Sequence, residues 1–494
     1  MERDFVIGID GGTGGVRAFV FDRRGEPVGR GESPYPTQYP VPGFAQQRPE
    51  DWLAAVKNSV RQAVEGVGAG RIAALCAATT SCTVVCCDGD GRALAPAILW
   101  MDVRAASQAA AVAERTGQRL SAELFPCKAL WLKEQDPRLW ERTLVLCEYQ
   151  DYLNRWLTGE WCFSVNTACN WGYNSRRGGF DRSFYQALGL EDALEKAPSR
   201  AVRAGEPAGF LCSRAAEALG LPAGLPVIQG GIDSSIGMLG MGVARPGAIA
   251  LMTGSSNLAM AVTERPLFTS PEAVNSGPDF LLEGYYTSVQ GQAASGSVLK
   301  WFRREFCRDL GEDAFRVLDE EAAAVSPGSG GLRVLDYWQG NRVPHNDPLA
   351  TGAIAGLTMS ATRAQLFRAV MEGVACGTQD LLAAFEEKGQ PVEQVRVSGG
   401  TTRSDLFLQI HADVSGVPFQ VASDYPVALG AAMEAALALG WHPTPARAAE
   451  AMVRCPREVA PDPEAHALYR GVLEDYHRLY EGLKNQNLFT RRGV

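Results

Sequence analysis

The feature that most constrains this sequence is a glycine-rich hairpin that occurs twice. Phe5 to Ile9 and Ala18 to Phe21 read as β-strands, and GIDGGTGG between them is a tight turn that needs unusual backbone angles. Further on, Ala248 to Met252 reads as a strand, TGSSN as a turn and Leu258 to Val262 as the returning strand. Two such units about half a chain apart predict two related α/β lobes facing one another.

The length fits this reading, because 494 residues are too many for one ordinary core. The expected division is 1–245 and 246–494, joined near Ala244 to Gly247, with a helical tail on the second domain. Between the hairpins, Trp52, Val56, Val60 and Val64 recur at helical spacing, predicting a helix from Pro49 to Val67. A third strand-turn unit, QVRVSGGTTRSD, leads into LFLQIHADVSG, where Leu406, Ile410 and Val414 keep helical period. The segment VALGAAMEAALALG reads as a small-residue helix able to pack closely on a neighbour.

A hydrophobic fraction of 46% with 21% charged residues is the balance of a soluble globular protein. The formal net charge of −9 argues against nucleic-acid and anionic-membrane partners, both of which select basic surfaces. A polyanion such as ATP then needs locally arranged donors. Twelve scattered cysteines without metal-ligand spacing read as reduced core thiols. MERD runs straight into FVIGI without the pattern of a signal peptide, and no segment approaches the roughly 20 apolar residues of a membrane span. The expected compartment is the cytoplasm.

Several residues carry chemistry in this frame. Asp10 follows a strand, and the glycines after it leave backbone N–H groups free to approach a phosphate. A carboxylate suits a hydrated magnesium ion, while Thr13 and Arg17 offer a hydroxyl and a cation to phosphoryl oxygens. A structural hairpin with a solvated Asp is the plainer alternative. VIQGGIDSSIGMLG places Asp233 at a strand-to-helix turn, as a proton acceptor or as an N-cap. The five histidines form neither HExxH nor a recognisable nucleophile signature, so hydroxyl activation falls to a carboxylate. Asp102 and Arg104 in LWMDVRAA are able to hold sugar hydroxyls or to form a surface salt bridge. Gly254, Ser255 and Ser256 can supply donors to a terminal phosphate, and Gly399 with Gly400 suits a flat adenine close to backbone.

In this order the segments GIDGGTGGVRA, LWMDVRA, DYLNRWLTG, GGIDSSIG, MTGSSN, GYYTSVQGQAASG, DYWQGNRVPHNDP, GAIAGLT and VSGGTTRSDLFLQIHADVSGVPF resemble the FGGY carbohydrate kinases. The resemblance spans nearly the whole chain. It implies an α/β protein of two ribonuclease-H-like, actin-like ATPase lobes around a deep cleft, with ATP and Mg2+ as cofactors. The acceptor it implies is a small-molecule sugar or polyol, and a homodimer is compatible with it. Asp233 matches the family's catalytic base and Asp10 its magnesium-linked aspartate. Thr13, Gly14 and Arg17 fall at phosphate-facing positions, Gly254 and Ser255 in the second phosphate loop, and Gly399, Gly400 and Ser404 in the adenosine loop. Asp102 and Arg104 fall on the sugar-contact segment.

DYWQGNR is most similar to the ribulokinase branch, whereas PHNDP is also similar to xylulokinases. Ribulokinases usually carry Lys at the position of Asn170 and Glu near Val289, so both residues depart from an L-ribulose pattern. Gln292 either reads a hydroxyl or satisfies buried backbone. The resulting expectation is a ketopentose kinase, with a polyol kinase as the alternative. Rivals from other classes are an ATP-driven conformational protein and a sugar-sensing protein without transfer activity.

Overall fold

The computed structural model describes residues 3–268 and 279–489. They form two compact units. The first comprises 3–244, 262–268, 279–288 and 425–453, and the second 245–261, 289–424 and 454–489. Residues 262–268, 279–288 and 425–453, which a single cut after residue 245 places in the second domain, therefore pack within the first unit.

The first sheet contains β1 (Phe5–Gly12), β2 (Gly15–Phe21), β3 (Pro27–Pro34), β4 (Ile72–Thr79), β5 (Pro207–Phe210) and β6 (Pro226–Ile228), in the order β5-β6-β4-β1-β2-β3. β1 to β3 form an antiparallel meander, and β4 and β6 continue the sheet in parallel with β1. The second sheet contains β7 (Ala248–Thr253), β8 (Asn257–Thr263), β9 (Tyr286–Gln292), β10 (Gln394–Ser398), β11 (Phe419–Val421) and β12 (Arg457–Val459), in the order β9-β8-β7-β10-β11-β12. β7 is antiparallel to β8 and parallel to β10, which is parallel to β11. Setting aside the outer strands β5 and β12, the two sheets share one strand order, so the repeat seen in the hairpins extends to whole sheets.

β1 is buried along nearly its full length because apolar layers cover both of its faces. On one side Trp52, Val56 and Val60 of helix Pro49–Val64 meet Ile7, Ile9 and Val20. That helix stops three residues before the expected Val67, since Gly66 adopts φ 77°, which turns the chain out of the helix. Helix Pro426–Ala438 packs against β1 and helix Asp233–Gly240. A Cβ at Gly8 would stand 1.8 Å from the Ala428 carbonyl oxygen, so glycine sets how closely this helix approaches. In the second unit, helix Arg363–Glu387 supplies Phe367, Val370, Met371 and Val374 to a core closed by Tyr469 and Tyr476 of the tail helix Pro463–Asn485. The cysteines are all free thiols, as the sequence implied.

Candidate active site

The carboxylate end of β1 organises the first unit's site. Asp10 pairs in register with Arg17 on β2, and the guanidinium Nη1 lies 3.5 Å from its Oδ2. Burial raises the Asp10 carboxyl to about 6, Arg17 opposes the rise, and Glu32 adds to it. Asp233 occupies the first position of helix Asp233–Gly240, with Ile232 at the N-cap, so the N-cap alternative does not hold. Among the described residues its Oδ1 accepts only the adjacent Ser234 N–H, at 2.7 Å. Burial, reinforced by the charge of Asp10, raises Asp233 to about 7, and the Ser234 N–H lowers it in part. A buried carboxyl raised to about 7 beside the charge of Asp10 suits proton acceptance at physiological pH.

Asn166 fixes the approach to Asp233, a role the sequence reading missed. Its Oδ1 accepts the Ile232 N–H at 2.6 Å, and its Nδ2 donates to the Phe280 carbonyl at 2.8 Å. A Cβ at Gly231 would fall 2.2 Å from that same Oδ1, so the glycine before Ile232 is required by contact. Tyr35, also missed, donates to the Gly12 carbonyl in the glycine-rich turn. Thr13 is held by Trp100 Nε1 on its hydroxyl at 3.0 Å and by Gln47 Nε2 on its carbonyl at 2.7 Å. Gly14 is exposed, with open space where a side chain would stand.

Asp102 and Arg104 are not a surface pair, since their side chains are 0% and 7% exposed. Arg104 donates through Nε to Oδ1 at 2.9 Å and through Nη2 to Oδ2 at 2.7 Å. The backbone N–H groups of Arg104 and Ala45 add to the same oxygens. The guanidinium carbon also lies 4.0 Å from the Phe44 ring centroid. Asp102 thus has both oxygens doubly engaged by the protein. Asn170 is 2% exposed and lines a cavity of about 540 Å3, and its Nδ2 has no partner among the described residues. Gln292 donates to Asp336 Oδ2 and the Val374 carbonyl, and its Oε1 accepts from Asn257 Nδ2 and Thr378 Oγ1. Its hydrogen-bonding capacity is spent inside the second unit, which matches the structural alternative and leaves nothing to read a hydroxyl.

The second unit brings its two glycine loops together. Gly399 adopts φ 130°, and a Cβ there would stand 1.8 Å from the Thr253 carbonyl oxygen. The hydroxyls of Thr253 and Thr401 are 2.6 Å apart, a link between TGSSN and GGTTRSD that sequence reasoning missed although both residues lie in those motifs. The carbonyls of Gly254 and Ser255 accept the N–H groups of Gly296 and Ser297, tying the exposed turn to the start of helix Gly296–Phe306. Gly400 is exposed with open space beside it. Ser404 caps helix Asp405–Ser415 by accepting the Phe407 N–H at 3.0 Å, so it shapes the loop end.

The duplicated sheets define the fold of the actin-like, ribonuclease-H-like ATPases, here with Asp10 near the end of one hairpin and the neutral Gly254, Ser255 and Ser256 at the turn of the other. Residues 5–240 match the N-terminal domain of the FGGY family of carbohydrate kinases, and residues 249–439 its C-terminal domain. A ribulokinase of Shouchella clausii is 30% identical over 97% of this chain and 95% of its own length. A xylulose kinase of Staphylococcus epidermidis is 26% identical over 98% and 97%. The crystal structure of xylulose kinase from Rhodospirillum rubrum superposes with a TM-score of 0.87 at 27% identity, covering 99% of this chain and 100% of that one. The chain belongs to the FGGY family of carbohydrate kinases, which use ATP as phosphoryl donor.

Proposed function

We propose that this kinase phosphorylates a ketopentose, ribulose or xylulose, and that Asp233 is its general base. The observation that carries the assignment of the base is the buried Asp233 carboxyl, raised to about 7 with the charge of Asp10 adding to the rise, and accepting among the described residues only the Ser234 N–H. Above that pH its free oxygen accepts the proton of the attacking sugar hydroxyl, raising the nucleophilicity of that oxygen as it bonds to phosphorus. Asn166, through Ile232, holds the carboxylate in place, so little reorganisation is needed at the moment of transfer.

Thr13, Gly14 and Arg17 in the first unit, and Gly254 and Ser255 in the second, are the donors assigned to phosphoryl oxygens. Gly399 and Gly400 form the adenosine surface, with Ser404 fixing its helix. The acidic pair also fits a Mg2+ ion. Burial raises both carboxyls, and the charge of Asp10 adds to the rise at Asp233, a tension that a cation relieves. Mg2+ binds through one or two carboxylates, waters and substrate phosphates, so Asp10 and Asp233 would hold it, and it would supply charge neutralisation at the phosphates.

For the sugar, Asn170 remains the assigned donor, because its buried Nδ2 has no partner among the described residues. Asp102 and Arg104 act as a buried brace for the segment that carries Trp100. A ketopentose is supported by similarity to a ribulokinase and to xylulose kinases. Asn170 and the largely buried Val289 replace charged groups usual in L-ribulokinases, so D-ribulose or xylulose fits better than L-ribulose. The test is kcat/KM from sugar-dependent ADP release across ribulose and xylulose enantiomers, erythritol, ribitol, xylitol and glycerol. A pentulose is expected to lead, and a clear preference for a polyol would refute the pentulose assignment while leaving the kinase mechanism standing.

A further inference from the structure

A second cavity in the first unit, of about 530 Å3, shares no lining residue with the Asn170 cavity, and neither has Asp10 or Asp233 in its lining. Three guanidiniums from three separate elements line it: Arg92 in the turn after Cys87, Arg155 in helix Tyr149–Thr158 and Arg214 in helix Ser213–Leu219. This is an unusual concentration of cations in a chain of net charge −9. Among the described residues Arg92 and Arg214 have no ion-pair partner, and Arg155 Nε is buried without a hydrogen-bond partner. Glu50 and Asp90 line the same cavity, yet neither neutralises Arg92 or Arg214, and Glu50 turns instead to Arg48 at 3.8 Å. Trp156 contributes an apolar wall.

The geometry points to a binding site for the phosphate monoester of a small polyol, separate from the catalytic carboxylates. Guanidiniums recognise a phosphate dianion through charge-assisted bonds. Carboxylates held clear of those guanidiniums accept bonds from hydroxyls, and an aromatic face packs against the C–H side of a sugar. A bare anion has no use for Glu50 and Asp90, which would repel it, and a neutral sugar has no use for three unneutralised cations. A phosphorylated polyol uses both sets. The inference rests on the lining of this cavity and not on the identity of the acceptor sugar.

The test is calorimetric titration of the full chain with ribulose 5-phosphate, ribulose and inorganic phosphate, in wild type, in the double variant Arg92→Gln with Arg214→Gln, and in Glu50→Gln. The double variant is expected to lose at least tenfold in affinity for ribulose 5-phosphate, to bind ribulose as wild type does, and to keep kcat for sugar-dependent ADP release within twofold. Glu50→Gln is expected to weaken the phosphate ester while leaving inorganic phosphate no weaker. Unchanged ester affinity in the double variant would overturn the site, and Glu50→Gln tightening ester and phosphate alike would overturn the polyol part by showing a simple anion site. The turnover readout is separate, so a failure of the kinase reading is distinguishable from a failure of this site.

Discussion

The hairpins β1-β2 and β7-β8 share strand order and turn position but carry opposite chemistry at their tips. The first presents Asp10 opposite Arg17, near enough in charge to Asp233 to shift it, whereas the second presents Gly254, Ser255 and Ser256 over a pair of linked threonine hydroxyls. Backbone topology was duplicated, and side chains divided the work. The acidic repeat is suited to accept a proton and hold a cation, and the neutral repeat to donate hydrogen bonds without adding negative charge beside a polyanion.

Three substitutions sharpen this contrast. The largest effect belongs to Asp233→Asn, which removes the proton acceptor with little change in shape and should lower kcat on the order of 10²-fold or more. ATP affinity by calorimetry should hold, and near-normal turnover would sink the assignment. The same variant has a stability signature. The folded-state value of about 7 lies above the ordinary 3.8, so folding favours the protonated form. That contribution is fully present below the ordinary value and is lost as pH rises through the folded value. Asp233→Asn should therefore raise Tm relative to wild type above pH 7 and not near pH 4.

Next comes Asn166→Ala, which frees the Ile232 N–H and should cost roughly tenfold in kcat by letting the carboxylate wander. KM for the sugar should change little. A matching rise in KM, with kcat intact, would show that Asn166 serves sugar binding instead. The smallest effect is expected in the neutral repeat. Ser255→Ala removes one hydroxyl donor worth about 1 kcal/mol, so KM for ATP should rise about fivefold at unchanged kcat. A loss of kcat comparable to that of Asp233→Asn would break the division between the two repeats.

Much of the fold was legible because glycine turns and strand periodicity are local signals. GIDGGTGG and TGSSN announced their hairpins, and VALGAAMEAALALG announced a closely packed helix. Its partners were not legible, since small residues fit many surfaces. Only the three-dimensional arrangement shows Pro426–Ala438 against β1 and helix Asp233–Gly240. Residue types at the site were equally visible, but their free valences were not. Gln292 and Asp102 are consumed by partners as distant in sequence as Val374 and Ala45, while Asn170 keeps an Nδ2 unmatched among the described residues. Asn166 lies one helical turn before Asn170 in NTACN, a spacing that becomes informative only once Ile232 is seen to donate to it.

The account depends most on Asp233 being poised to take a proton near neutral pH, and that is directly measurable. Infrared titration of the nucleotide-free protein carrying 13C-carboxyl-labelled aspartate, with Asp233→Asn to assign the signal, reads this carboxyl alone. The structure predicts a midpoint near 7 that falls in Asp10→Asn, because the neighbouring charge is one cause of the rise. A midpoint near 4, unmoved by Asp10→Asn, would contradict it.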